Sequence, residues 1–172
     1  YGAMKRPRYE ADRFRIVLRD WASGKERVLT EEWDRSPGGI VWSSDSKRII
    51  TTAQNIGQES LFAIDAKTGK VTVIVEKGTV RSPAVAGDRI VFGMDHLPAP
   101  AELYTVKPNG SDMRAITKIN ASKVAAVRMG EPEQFNFKGW NDETVWGYIV
   151  KPVDFDAAKK YPVAFLIHGG PQ

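Results

Sequence analysis

The chain has 172 residues, of which 42% are hydrophobic and 27% charged, with 25 basic against 21 acidic side chains and no cysteine. That composition excludes wholesale disorder and collagen-like repeats, and the missing cysteine excludes disulfide scaffolds and thiolate metal sites. The excess of four positive charges is spread thinly, as in Lys5, Arg6, Arg8, Arg13, Arg15 and Arg19, so no basic face for nucleic acid is expected.

The segment Tyr1 to Pro7 carries charges with no apolar signal core behind them. The run Lys5 to Arg8 reads as a solvated loop. Branched residues then set the class: 16 valines and 12 isoleucines against 6 leucines favour strands. Turn signals punctuate them at Ser23-Gly24, Gly38-Gly39, Thr68-Gly69, Gly87-Asp88, Asn109-Gly110 and Asn141-Asp142.

Three segments repeat one pattern of strand, polar turn and strand: IVLRDWASGKERVLT from Ile16, LFAIDAKTGKVTVIV from Leu61 and LYTVKPNGSDMRAIT from Leu103. Their starts lie 45 and 42 residues apart. Ser36-Pro37 keeps step with Ser82-Pro83, and a second hairpin follows each, across Ile40 to Ile50 and Ala84 to Phe92. Four short strands in some forty residues form the unit of a β-propeller blade, against the alternative of unrelated hairpins in a sandwich. Residues 1–128 hold two to three such blades, too few to close a ring, so the chain is expected to be a piece of a larger protein.

Met129-Gly130-Glu131-Pro132 breaks the repeat, which places an expected domain boundary near residue 129. Beyond it, Gln134 to Lys138 and Thr144 to Val150 read as a hairpin, and Asp154 to Lys160 as a helical turn. Val163 to Ile167, the longest clearly apolar run, is far too short to span a bilayer. Apolar at every position, it reads as a strand buried on both faces of a parallel or mixed sheet, a contrast with the one-sided antiparallel strands before it.

The glycines after that run carry the chemistry. Ile167-His168-Gly169-Gly170-Pro171 would let the backbone turn sharply and present bare N–H groups. In α/β-hydrolases a His-Gly-Gly type loop after the third strand supplies an N–H to the oxyanion hole, aimed at the oxygen that becomes negative during acyl transfer.

On the stretches FNFKGWNDETVWGYIVKP and KYPVAFLIHGGPQ, together with the repeat, the chain resembles the prolyl oligopeptidase family of serine peptidases. Its His-Gly-Gly-Pro form is similar to the acylaminoacyl-peptidase and bacterial dipeptidyl-peptidase branches. The resemblance implies a mainly β chain: a partial β-propeller over residues 1–128, then the first strands of an α/β-hydrolase domain over 129–172. It implies that Gly170 offers the oxyanion N–H, that Gly169 shapes the turn, and that His168 is a structural member of the loop. The nucleophile, acid and base would lie further on, because this fold orders them Ser, Asp or Glu, then His. None of the nine serines has a glycine two residues earlier, so no nucleophile elbow is present and this chain is expected to be inactive alone.

The implied substrates are short peptides, with no cofactor or metal, no membrane partner, and an oligomeric parent as one option. Two histidines without cysteine disfavour a zinc site. His96 reads as an ordinary loop residue, Asp45 and Asp65 as turn residues, and Trp21, Trp33, Trp42, Trp140 and Trp146 as packing between blades or sheets. An esterase on the same fold, or a non-catalytic propeller that binds proteins, fits the same residues.

Overall fold

The computed structural model describes residues 1–9 and 11–167. Among them three successive antiparallel meanders follow the sequence repeat. The first is β1 (Gly2–Ala3), β2 (Arg15–Arg19) and β3 (Glu26–Val28). The second is β4 (Ile40–Trp42), β5 (Arg48–Asn55), β6 (Gln58–Asp65) and β7 (Val71–Val75). The third is β8 (Thr79–Ala86), β9 (Arg89–His96), β10 (Ala99–Val106) and β11 (Arg114–Ala115). The second and third touch through a single parallel bridge, Glu59 with Thr79. The chain is thus mainly β with open sheets, as a partial propeller requires.

Side chains weld these blades together. Ile49 and Ile50 are neighbours on β5 and point to opposite faces, as strand geometry dictates. Ile49 joins Ile16, Leu29 and Ile64 in one apolar cluster, against the first meander. Ile50 joins Leu61, Ile74, Ile90, Phe92 and Met94 in another, against the third. Strands β5 and β6 are consequently buried over five consecutive residues each, so the middle blade is covered on both faces. This corrects the one-sided reading of the repeat.

The turns joining the outer strands are built alike. Asp20 accepts hydrogen bonds from the Ser23 amide at 2.7 Å and hydroxyl at 2.6 Å. Asp65 does the same for the Thr68 amide and hydroxyl at 2.7 and 2.8 Å. Gly24 and Gly69 follow with φ of +68° and +78°, a region that costs L-residues energy. Asp45 likewise binds its own turn through Ser43 and Lys47. These aspartates are turn residues, as expected. Pro83, which cannot donate to a ladder, sits where the β8–β9 register shifts between Arg81 and Ala84.

After β11 comes a short helix, α1 (Ala121–Ala125), then a separate two-stranded sheet of β12 (Pro132–Lys138) and β13 (Thr144–Val150). The expected helical turn at Asp154 to Lys160 is instead a series of turns without a helix. Helix α1 stands where none was expected.

Two further expectations change. Val163 to Ile167 forms no strand, and Val163, Phe165, Leu166 and Ile167 are largely exposed. A strand needs a hydrogen-bonding neighbour, and none of the described residues pairs with this one. Of the five tryptophans only Trp33 packs closely, edge-on to Phe62 at 5.1 Å and against the first apolar cluster. Trp21 and Trp140 are more than four-fifths exposed, because Trp21 sits on a turn and Trp140 on a short 3-10 segment, both outside the strands.

Candidate functional site

Three connections of the repeat converge at one end of the blades: Ile56-Gly57 between β5 and β6, Glu76 to Gly78 between β7 and β8, and Leu97-Pro98 between β9 and β10. With Pro132, Gln134 and Tyr148 of the β12–β13 sheet they enclose a cleft of about 820 Å³. Hairpin geometry explains the convergence, since alternate connections of a meander lie at the same end.

Backbone conformation shapes the cleft floor. Ile56 and Gly57 both have positive φ, +51° and +74°, the requirement of a tight two-residue hairpin turn. At Gly78, φ is +96° and a Cβ would lie 2.8 Å from the Met94 sulfur and 2.9 Å from His96 Cε1. Only glycine fits there, and it lets the connection lie flat on β9.

The lining is mixed. Glu76, Asp95 and Glu131 contribute carboxylates and Lys77 an ammonium. Asp95 also faces Arg81 at 3.5 Å. His96 lies on the rim as an ordinary strand-end residue. Such groups can hold the N–H and C=O groups of a bound chain.

Tyr148 is the residue that joins the two sides. Its hydroxyl accepts hydrogen bonds from Gln58 Nε2 at 2.6 Å and from Gln134 Nε2 at 3.0 Å, and donates to the Ile56 carbonyl at 3.2 Å. Gly57 leaves room for the ring, since a Cβ there would lie 2.5 Å from Tyr148 Cε2. Sequence reading singled out neither Tyr148 nor Gln58, which lie 90 residues apart and share no motif. The one available hint was Gly57, next to an isoleucine in a turn.

The residues the sequence did single out, His168, Gly169 and Gly170, lie outside the described residues. The described residues just before them, Phe165, Leu166 and Ile167, are exposed. No helix among the described residues is long and apolar enough to cross a membrane.

No protein-family model matches the sequence. Curated proteins do, along its whole length. It is 30% identical over 178 residues to a probable dipeptidyl-peptidase 5 of Aspergillus niger, covering 100% of this chain and 24% of that protein. It is 34% identical over 183 residues to the corresponding Aspergillus clavatus protein, covering 100% and 25%. Among solved structures, the Pyrococcus horikoshii acylaminoacyl peptidase superposes with a TM-score of 0.73 at 20% identity, over 88% of this chain and 23% of that one. The chain therefore spans about a quarter of the length of the curated relatives it matches.

The fold is that of propeller-containing peptidases. Relatives and structural neighbours together fit this chain as a segment of a prolyl oligopeptidase-family peptidase.

Proposed function

We propose that the chain is the part of a serine peptidase that carries the last propeller blades, over residues 1–128, and the start of an α/β-hydrolase domain, over 129–172. The observation that carries this reading is the alignment of the whole chain with proteins named dipeptidyl-peptidase 5. The whole protein hydrolyses short peptides by acyl transfer, and the relatives' name favours release of dipeptides. A serine attacks the carbonyl, a histidine moves the proton, and the Gly170 N–H helps to hold the oxyanion. Gly169 shapes that loop and His168 supports it. The cleft at Gly78 and Tyr148 lies on the substrate's way in, and the blades restrict entry to short chains.

Gly170→Val in the longer protein tests the assignment. Bulk at the oxyanion loop lowers kcat by roughly 10²–10³-fold, the effect of losing one oxyanion donor, with KM little changed. A change confined to KM would refute the role of Gly170. Comparing a dipeptidyl anilide with a simple acyl ester on the same protein separates the peptidase from an esterase of the same fold.

A further inference from the structure

We infer that Tyr148 is a latch that ties the β12–β13 sheet to the junction between two successive blades, with Gln58 as the relay. The inference is independent of the peptidase reading, because it concerns how two parts of this chain move together.

The geometry runs through three points. On β13, Trp146 and Tyr148 share one face, as residues two apart on a strand must. Trp146 borders a hollow on one side of the β5–β6 hairpin, and Tyr148 borders the cleft on its other side. The Ile56-Gly57 tip is thus held between them. The Tyr148 hydroxyl then uses its full capacity, accepting from Gln58 and Gln134 and donating to Ile56. Gln134 also donates to the same Ile56 carbonyl at 3.1 Å.

Gln58 carries the contact onward. Its Nε2 is held by Tyr148, and its Oε1 accepts from the Gly78 amide at 2.6 Å. Gly78 is the residue on which the middle and third blades meet, because its carbonyl accepts from the Glu59 amide at 3.0 Å beside the single parallel bridge of Glu59 and Thr79. One carboxamide therefore spans from the sheet to the blade junction. Its orientation is fixed at one end by a hydroxyl and at the other by a backbone amide. Releasing the hydroxyl frees the carboxamide to turn, and the Gly78 amide loses its acceptor.

Amide hydrogen exchange on the 172-residue chain tests this. Tyr148→Phe keeps the ring and removes only the hydroxyl, so the fold is retained. We expect exchange at Gly78 and across β12–β13 to accelerate about three- to tenfold, the scale of one net hydrogen bond, while β9 and β10 keep their rates. Gln58→Ala accelerates Gly78 in the same way. Gln134→Ala touches the hydroxyl and Ile56 but not the relay, so it loosens β12 and leaves Gly78 at its original rate. Acceleration of β12–β13 in Tyr148→Phe with Gly78 unchanged would overturn the relay. Uniform acceleration everywhere, or none, would overturn the latch.

Discussion

Gly69 rests on the backbone carbonyl of Leu29, so closely that a Cβ at Gly69 would overlap the Leu29 oxygen. The contact joins the turn of the middle blade to the outer edge of the blade before it. It recurs one blade later, where a Cβ at Gly110 would lie 3.1 Å from the Ile74 carbonyl oxygen. Arg27, whose guanidinium donates to the Ala66 carbonyl at 2.5 Å, reinforces the first of the two seats. Glycine is thus required twice over in these turns, once for positive φ and once for space.

Gly69→Ala should accordingly destabilise the chain by about 2–4 kcal/mol, since strained backbone and overlap add. Gly87→Ala is the control: its φ is +61° but nothing lies within 4 Å of its Cβ position, so only the backbone cost of about 1–2 kcal/mol applies. Urea unfolding of both variants measures the difference. Equal losses would mean that the seat on Leu29 contributes nothing.

Core packing predicts a second contrast. Phe92 is 1% exposed and stacks on Tyr104 at 6.1 Å between ring centres. Phe92→Ala should cost about 3–5 kcal/mol, whereas Trp140→Ala, on an exposed turn, should change stability by less than about 0.5 kcal/mol. Thermal unfolding of the two variants gives the comparison.

Acid should loosen the repeat turns. Hydrogen bonds from the Thr68 amide and hydroxyl hold the Asp65 carboxyl below its ordinary value of 3.8, and those from the Ser23 hydroxyl and amide do so for Asp20. A folded pKa below the unfolded one adds stability that is complete well above pH 4 and is lost as pH falls through the folded value. Asp65→Asn should therefore lower stability at pH 7 and flatten its decline below pH 4, read from denaturant midpoints across that range.

Helix α1 depends on one carboxylate. Glu102 on β10 accepts from the Asn120 amide at 2.6 Å and from the Thr117 hydroxyl, and those bonds hold its pKa below the ordinary value. Glu102→Ala should release the segment from 118 to 127. Limited proteolysis should then cut there several times faster, with the strands of the middle blade still protected.

Exposed apolar side chains predict association. Val163, Phe165, Leu166 and Ile167 are largely exposed, and Phe135, Phe137 and Trp146 of the two-stranded sheet are partly so. Light scattering of the isolated chain should show dimers or larger species, and a monodisperse monomer at high concentration would contradict this.

The legible parts of the sequence were those with local causes. Gly24, Gly69 and Gly110 mark their own turns, and the aspartates beside the first two complete them, so the repeat could be read directly. Helix α1 is not legible although Ala121, Lys123 and Ala125 are good helix formers, because five residues give almost no periodicity. Trp33 packs as its type suggests, whereas Trp21 and Trp140 lie outside the strands and stay exposed, because residue type predicts burial only on average. The apolarity of Val163 to Ile167 predicts burial, but burial is a property of neighbours as well as of the run itself. The Tyr148 contact was illegible for the same reason: it joins two polar residues 90 positions apart.

The seats of Gly69 on Leu29 and Gly110 on Ile74 also bear on how such a repeat can grow. The middle blade carries both halves of the joint, a glycine turn to set down and an outer strand to receive the next. A duplicated blade would arrive with its own fittings and suit its neighbours on either side at once. A single added strand would bring only half of that joint, whereas a whole added unit brings all of it.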